Sequence, residues 1–262
     1  MSVNRRDFLK IVSMSTILSI GGVASVSSLK NQVEASQIST SPAALTAKRW
    51  AMVVDMSKFK SEQDYQKCID ACHLVHNVPH ITDNPKHEVK WIWTETYEHA
   101  FLGNEDVYRA EKFQHMPFLM LCNHCENPPC VRVCPTQATF KRKSDGIVMM
   151  DMHRCIGCRF CMAGCPYGAR SFNYKNPRPF IDESKENPEF PTRMKGVVEK
   201  CTLCYERLAK GLQPACVEVS NGALIFGDIE DPNSAVRKVL SERFTIRRRP
   251  ELGTGPSVYY II

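Results

Sequence analysis

Two blocks of closely spaced cysteines constrain this chain more than any other feature. The first reads Cys122-Asn-His-Cys125-Glu-Asn-Pro-Pro-Cys130-Val-Arg-Val-Cys134-Pro135, the second Cys155-Ile-Gly-Cys158-Arg-Phe-Cys161-Met-Ala-Gly-Cys165-Pro166. A lone Cys-x2-Cys pair fits zinc as readily as iron. Two complete four-cysteine runs, each closed by Cys-Pro, point to iron–sulfur ligation instead. The chain holds 13 cysteines in 262 residues, an odd number, so complete pairing as disulfides is excluded. It is also far longer than the small scaffolds that depend on disulfide staples. With 43% hydrophobic and 24% charged residues it is not a disordered chain.

The second block matches Cys-x2-Cys-x2-Cys-x3-Cys-Pro, the run found in bacterial ferredoxins. That resemblance implies that three thiolates of a run wrap one cubane while the fourth, before proline, ligates the neighbouring cluster. Crossed in this way, Cys122, Cys125 and Cys130 share a cluster with Cys165, and Cys155, Cys158 and Cys161 share one with Cys134. Gly146–Asp151 is expected to be a strand feeding the second run, and Phe140 and Phe172 to be core packing.

The remaining cysteines suggest a second module wrapped around the first. Cys201-Thr-Leu-Cys204 and Cys216 supply three ligands, but the next position in register is Ser220, followed by Asn221 rather than proline. Upstream, Val53-Val-Asp55-Met-Ser-Lys-Phe59 echoes Met149-Met-Asp151-Met-His-Arg-Cys155, an internal repeat that sets Phe59, Glu62 and Tyr65 at ligand positions. The crossing rule assigns Phe59, Glu62, Tyr65 and Ser220 to one site. The opposite site then takes Cys72, Cys201, Cys204 and Cys216, all present. The reading is three retained [4Fe–4S] clusters and one deleted, with Cys68 left over as a buried structural thiol. A competing reading of Cys68-Ile-Asp-Ala-Cys72-His73 as a haem-attachment motif with one extra residue would remove a ligand from the third cluster.

These motifs resemble the electron-transfer subunits of the dimethyl-sulfoxide-reductase family. The likeness rests on the nested four-run layout, Cys125-Glu-Asn-Pro-Pro-Cys130, Cys165-Pro-Tyr-Gly-Ala169, Cys201-Thr-Leu-Cys204-Tyr-Glu-Arg207, Phe226-Gly-Asp228 and Asp231-Pro-Asn-Ser234, and covers residues 48–240. A narrower similarity is to the extracytoplasmic iron–sulfur subunit of the membrane-bound Dsr redox complex of sulfur-metabolising prokaryotes. The resemblance implies a non-catalytic relay of single electrons, partnered by an NrfD-like quinone-interacting membrane protein, a multihaem cytochrome c and further haem and iron–sulfur subunits. Its other outcomes are the iron–sulfur subunit of another molybdopterin-type reductase, or a cluster-stabilised assembly protein without a redox task.

The expected fold is α+β: two nested bacterial-ferredoxin-like modules, the outer one split around the inserted inner one, with long loops and an N-terminal export signal. Residues 1–35 form a twin-arginine signal, built on Asn4-Arg-Arg-Asp-Phe-Leu-Lys10 and a weakly apolar stretch, and either cleaved or retained as an anchor. Residues 36–47 are a linker, 48–118 and 181–230 the two parts of the outer module, 119–180 the inner module and 231–262 a C-terminal extension. Export places the chain on the extracytoplasmic face of the membrane, already folded, which spares its thiols from scrambling in an oxidising compartment. The formal net charge of +6 loses two units with the leader. Three loaded cubanes would bring the protein to about −2. No basic stripe interleaved with aromatics occurs, so nucleic acid is not a partner, and no phosphate loop or nucleophile elbow is present. Arg247–Arg249 are expected at a solvated surface, His73 and His76 as ordinary surface or core residues, and half of Trp91, Trp93, Tyr97 and Phe101 as packing.

Overall fold

Trp50-Ala-Met-Val-Val-Asp55 is an apolar run with one acid at its end, and it forms strand β1 (Trp50–Asp55), buried along its whole length. In the computed structural model, which describes residues 41–103, 111–113 and 116–262, the compact unit runs from Pro42 to Ile262. The leader expected at 1–35 lies outside the described residues, as does the linker up to residue 40. Strand β1 is central because it has partners on both edges. It pairs antiparallel with β8 (Leu224–Asp228), Trp50 opposite Asp228 and Val54 opposite Leu224, and parallel with β9 (Val258–Ile261), Met52 opposite Val258. A strand covered on both faces reads as a continuous apolar run, as β1 does.

Between β1 and β8 the chain forms three two-stranded sheets. β2 (Ile92–Glu95) pairs with β3 (Phe118–Leu121), β4 (Thr139–Lys141) with β5 (Val148–Met150), and β6 (Ser171–Phe172) with β7 (Val198–Glu199), all antiparallel. The strand expected at 146–151 is therefore present as the shorter β5, in a hairpin with β4.

Helix α1 (Glu62–Val75) starts where the Asp64 carboxylate accepts the Ser61 N–H at 3.0 Å. The others are short: α2 (Tyr97–Ala100), α3 (Pro129–Arg132), α4 (Phe160–Ala163), α5 (Tyr205–Leu208), α6 (Ala215–Glu218) and α7 (Ala235–Glu242). α3 packs on α4, and α1 on α6. Among the described residues no helix is long and apolar enough to cross a membrane.

The repeat noticed in the sequence has a structural counterpart. Asp55 Oδ1 accepts the Ser57 N–H at 3.2 Å, and Asp151 Oδ1 accepts the His153 N–H at 2.9 Å, so both copies turn in the same way after their strand.

Three expectations need correction. The segment after residue 230 is more than an appendage. It supplies β9 and then lies along the first cysteine loop, with Ser257 N–H donating to Asn123 O (2.9 Å), Glu126 N–H to Gly255 O (2.8 Å) and Asn127 N–H to Thr254 O (2.9 Å). Arg248 is buried rather than solvated, its Nε donating to Ala100 O at 2.7 Å. Phe140 is 38% exposed, because it points outward from the β4–β5 hairpin, whereas Phe172 is half-buried. Trp91, Trp93 and Phe101 are all buried, with Phe101 edge-on to Phe118 and Tyr260.

One buried ion pair ties these elements together. Arg193 Nε lies 2.8 Å from Glu199 Oε2, with side chains 1% and 0% exposed. Glu199 also accepts from Trp91 Nε1 (2.9 Å) and Asn173 Nδ2 (2.5 Å), while Arg193 donates to the carbonyls of His76 and Asn77. Removing one partner of such a pair leaves a buried charge uncompensated, at a cost of about 3–5 kcal/mol. Glu199→Gln should therefore lower the urea midpoint of the loaded protein under anaerobic conditions. An unchanged midpoint would show that the pair carries no such weight.

Candidate metal centre

The cysteines sit at recurring places in the fold. Cys130, Cys161 and Cys216 each lie in the first half of a four-residue helix, α3, α4 and α6. In each Cys-x2-Cys loop the residue before the second cysteine is left-handed: His124 (φ 40°), Gly157 (φ 71°) and Leu203 (φ 54°). That conformation turns successive backbone N–H groups toward the concave side, which suits an anionic centre. Gly157 has a second reason to be glycine, since a Cβ there would stand 2.5 Å from Gly196 O.

Cys122, Cys125, Cys130 and Cys165 wall one cavity, together with Arg170, so the fourth thiol of the second run faces the first three of the first. Burial, and then the Cys122 thiol beside it, pushes the Cys125 thiol up to about 12. Four unpaired thiols converging on one lined space, with no disulfide, are the donor set a cubane takes.

Cys72, near the end of α1, is brought to Cys201, Cys204 and Cys216. Its thiol is raised well above the ordinary range by burial and then by those three neighbours in turn. His76 is 1% exposed and stacks on Trp91 at 4.4 Å. Its Nδ1 stands 2.7 Å from Cys72 O and 3.6 Å from Cys72 Sγ, and its Nε2 2.9 Å from Glu206 Oε1. Ligand-type atoms of His76, Cys204 and Glu206 lie within 4.8 Å of one another. Because Cys204 belongs to the thiol group, the histidine and glutamate form its immediate surroundings.

The third group is the most open. Cys134 and Cys155 pack against the apolar cluster that contains Cys130, Cys161, Val148 and Met150. Cys158 is half-exposed. Burial pushes the Cys134 thiol up, yet hydrogen bonds from Thr139 N–H (3.5 Å) and the Thr136 hydroxyl (3.7 Å) bring it below the ordinary value. Ile156 (66% exposed) and Phe160 (58%) flank this group at the surface.

The cavity group neighbours both of the others. Next to burial, the largest upward push on Cys201 comes from Cys122, which joins the Cys72 group to the cavity group. Cys130 in turn pushes on Cys161, joining the cavity group to the open one.

The four positions that the register sets opposite the Cys72 group carry other side chains. Phe59 and Tyr65 are buried and stacked, ring centroids 4.3 Å apart, while Glu62 is exposed at the start of α1. Ser220 is buried, but its hydroxyl donates to Val217 O (2.8 Å) and accepts from Leu224 N–H (3.1 Å). Cys68, fully buried on α1, donates its thiol toward Cys216 O at 3.6 Å, and burial pushes it up to about 11.

Two buried cations escaped the sequence reading. Arg170 and Lys200 are buried cations beside the thiols, and Lys200 Nζ donates to Cys201 O at 2.6 Å. His124 is held neutral, well below the ordinary range, by burial and then by these same two cations. Its Nδ1 accepts the Val148 N–H at 3.1 Å, which assigns the ring proton to Nε2. Charged residues inside the apolar stretches Val197-Val198-Glu199-Lys200 and Ala169-Arg170-Ser171 were the available signal.

Comparison with known proteins agrees with this geometry. The 4Fe-4S dicluster domain matches residues 114–178, which hold both complete cysteine runs. The chain is 40% identical over 281 residues to the Hdr-like menaquinol oxidoreductase iron-sulfur subunit 1 of Archaeoglobus fulgidus, covering 98% of this chain and 97% of that protein. It belongs to the family of [4Fe–4S] electron-transfer subunits of oxidoreductase complexes. Within that family it is 34% identical to the menaquinone reductase iron-sulfur cluster-binding subunit of Nitratidesulfovibrio vulgaris, over 81% of this chain and 88% of that one. It is 35% identical to the NrfC homolog of Haemophilus influenzae, over 82% and 80%. As a member it is a non-catalytic subunit.

With thiols raised this far, the metal-free chain holds their protons at neutral pH, and cluster insertion must release them. Higher pH therefore favours loading. Reconstitution with iron and sulfide should proceed further at pH 8.5 than at pH 7, with protons released in a pH-stat. Loading independent of pH would contradict the burial described for Cys125 and Cys201.

Proposed function

We propose that this chain carries three [4Fe–4S] clusters in a row. The first is held by Cys72, Cys201, Cys204 and Cys216, the second by Cys122, Cys125, Cys130 and Cys165, and the third by Cys155, Cys158, Cys161 and Cys134. The observation that carries the reading is the single cavity walled by Cys122, Cys125, Cys130 and Cys165, thiols of two different runs. When bound, the clusters supply one-electron carriers whose potentials respond to nearby charge, hydrogen bonds and solvent access. The chain's own residues hold the thiolates in place, keep water from the first two sites and leave the third near the surface.

The reading includes two nested ferredoxin-like modules. The inner one contains the α3–α4 pair and the outer one the α1–α6 pair, and the shared aspartate turns after β1 and β5 support the duplication. The stacked Phe59 and Tyr65 occupy the lost ligand positions beyond the Cys72 group, which fits a row shortened at its end rather than interrupted.

The proposal extends to a physiological setting. Two relatives are named for a menaquinol oxidoreductase and a menaquinone reductase, which supports a quinone-interacting membrane subunit, of the NrfD-like type, as the proposed partner. Other neighbours are a multihaem cytochrome c and further haem and iron–sulfur subunits, in a membrane-bound complex linked to sulfur metabolism and like the Dsr complex. The twin-arginine pattern at residues 4–10 supports export, and with it a place on the extracytoplasmic face.

The ligand crossing gives the sharpest test. Cys134→Ala should cost the chain one cluster, iron falling from about twelve to about eight per chain. The lost spin signal should be the one that Cys155→Ala also removes. Loss of the signal that depends on Cys122 would overturn the assignment.

A further inference from the structure

Arg170 is a buried cation for which the fold supplies no anion. It is 5% exposed, and among the described residues no carboxylate pairs with it. Its Nη1 donates to Thr139 Oγ1 at 3.1 Å and lies 3.9 Å from Met150 Sδ, which anchors the side chain across the β4–β5 hairpin. Its Nη2 is buried without a hydrogen-bond partner, and the residue forms part of the wall of the four-cysteine cavity. An arginine stays charged in a protein. A buried, unpaired guanidinium costs several kcal/mol unless an anion lies against it.

The thiols around it are those of two groups. Cys130 belongs to the cavity group and Cys161 to the open group, and both sit in one apolar cluster beside Met150.

We propose that Arg170 is the potential-setting residue shared by the second and third clusters. Its Nη2 donates to the thiolate side of the second cluster, and its charge stands between Cys130 and Cys161. This rests on the ligand assignment given above. A [4Fe–4S] centre with four thiolates carries about −2 and becomes more negative on reduction, so a fixed cation beside it favours the reduced form. Acting on two neighbours at once, Arg170 raises both potentials together, so that both centres become easier to reduce. It is a positioning residue for charge and touches no substrate.

The test uses the full chain loaded with its clusters. Arg170→Gln keeps the side-chain length and removes the charge. Redox titrations followed by electron spin resonance should show the second and third clusters harder to reduce, each by about tenfold in reduction equilibrium constant, or about 59 mV for a one-electron couple. The cluster held by Cys72 should move by less than about threefold, and Arg170→Lys should restore most of the difference. Full loading with all three potentials unmoved, or all three moved alike, overturns the role of Arg170 and leaves the ligand assignment standing. A wild-type chain that loads fewer than three clusters defeats both. If the glutamine variant fails to load, 15N-arginine labelling of the wild-type protein decides the matter. A nitrogen hyperfine coupling on the reduced second cluster supports the proposal, and its absence overturns it.

Discussion

Packing many thiols side by side in a protein interior is an electrostatic problem before it is a structural one. Burial raises the thiols of Cys72, Cys125, Cys201 and Cys204, and each neighbouring thiol raises them further. Ionising them together requires positive charge or hydrogen-bond donors at hand. The fold provides these in three forms: left-handed turns at His124, Gly157 and Leu203, short helices that begin at the third cysteines, and the buried cations Arg170 and Lys200. Much of the remaining architecture exists to hold these donors in place. β9 and the 254–257 segment fasten the first cysteine loop, and the Arg193–Glu199 pair fixes Trp91 and the carbonyl of His76.

The same view explains the degenerate corner. Phe59 and Tyr65 replace thiol positions with stacked rings, and Ser220 uses its hydroxyl to bridge Val217 and Leu224. Apolar packing at the one and local hydrogen bonds at the other stand in place of buried charge. No cation is needed, and the one remaining cysteine nearby, Cys68, is a protonated thiol facing a carbonyl.

The likeness to the ferredoxin run made the meeting of Cys165 with Cys122, Cys125 and Cys130 legible in the sequence, and one cavity is walled by all four. The echo of residues 53–59 in 149–155 made the duplication legible as well, and the paired aspartate turns bear that likeness in the backbone. Other features were hidden for a physical reason. A charge inside a short apolar stretch was the one local sign of Arg170 and Lys200, and Arg170, Arg248 and Thr254 act through segments distant in sequence. The same holds for β9, whose parallel partner β1 lies at the other end of the described chain. Phe140 looked like core because it is aromatic, but the hairpin that carries it is a two-stranded edge with its outer side free.

The central claim is that this chain holds three cubanes and has lost a fourth. Iron and acid-labile sulfide analysis of the anaerobically loaded wild-type chain, with Mössbauer spectra of the same sample, tests it most directly. The account predicts about twelve irons and about twelve sulfides per chain, all in [4Fe–4S] form. About sixteen irons would mean that the Phe59–Ser220 corner still binds a cluster. About eight would mean that the Cys72 group or the Cys134 group does not.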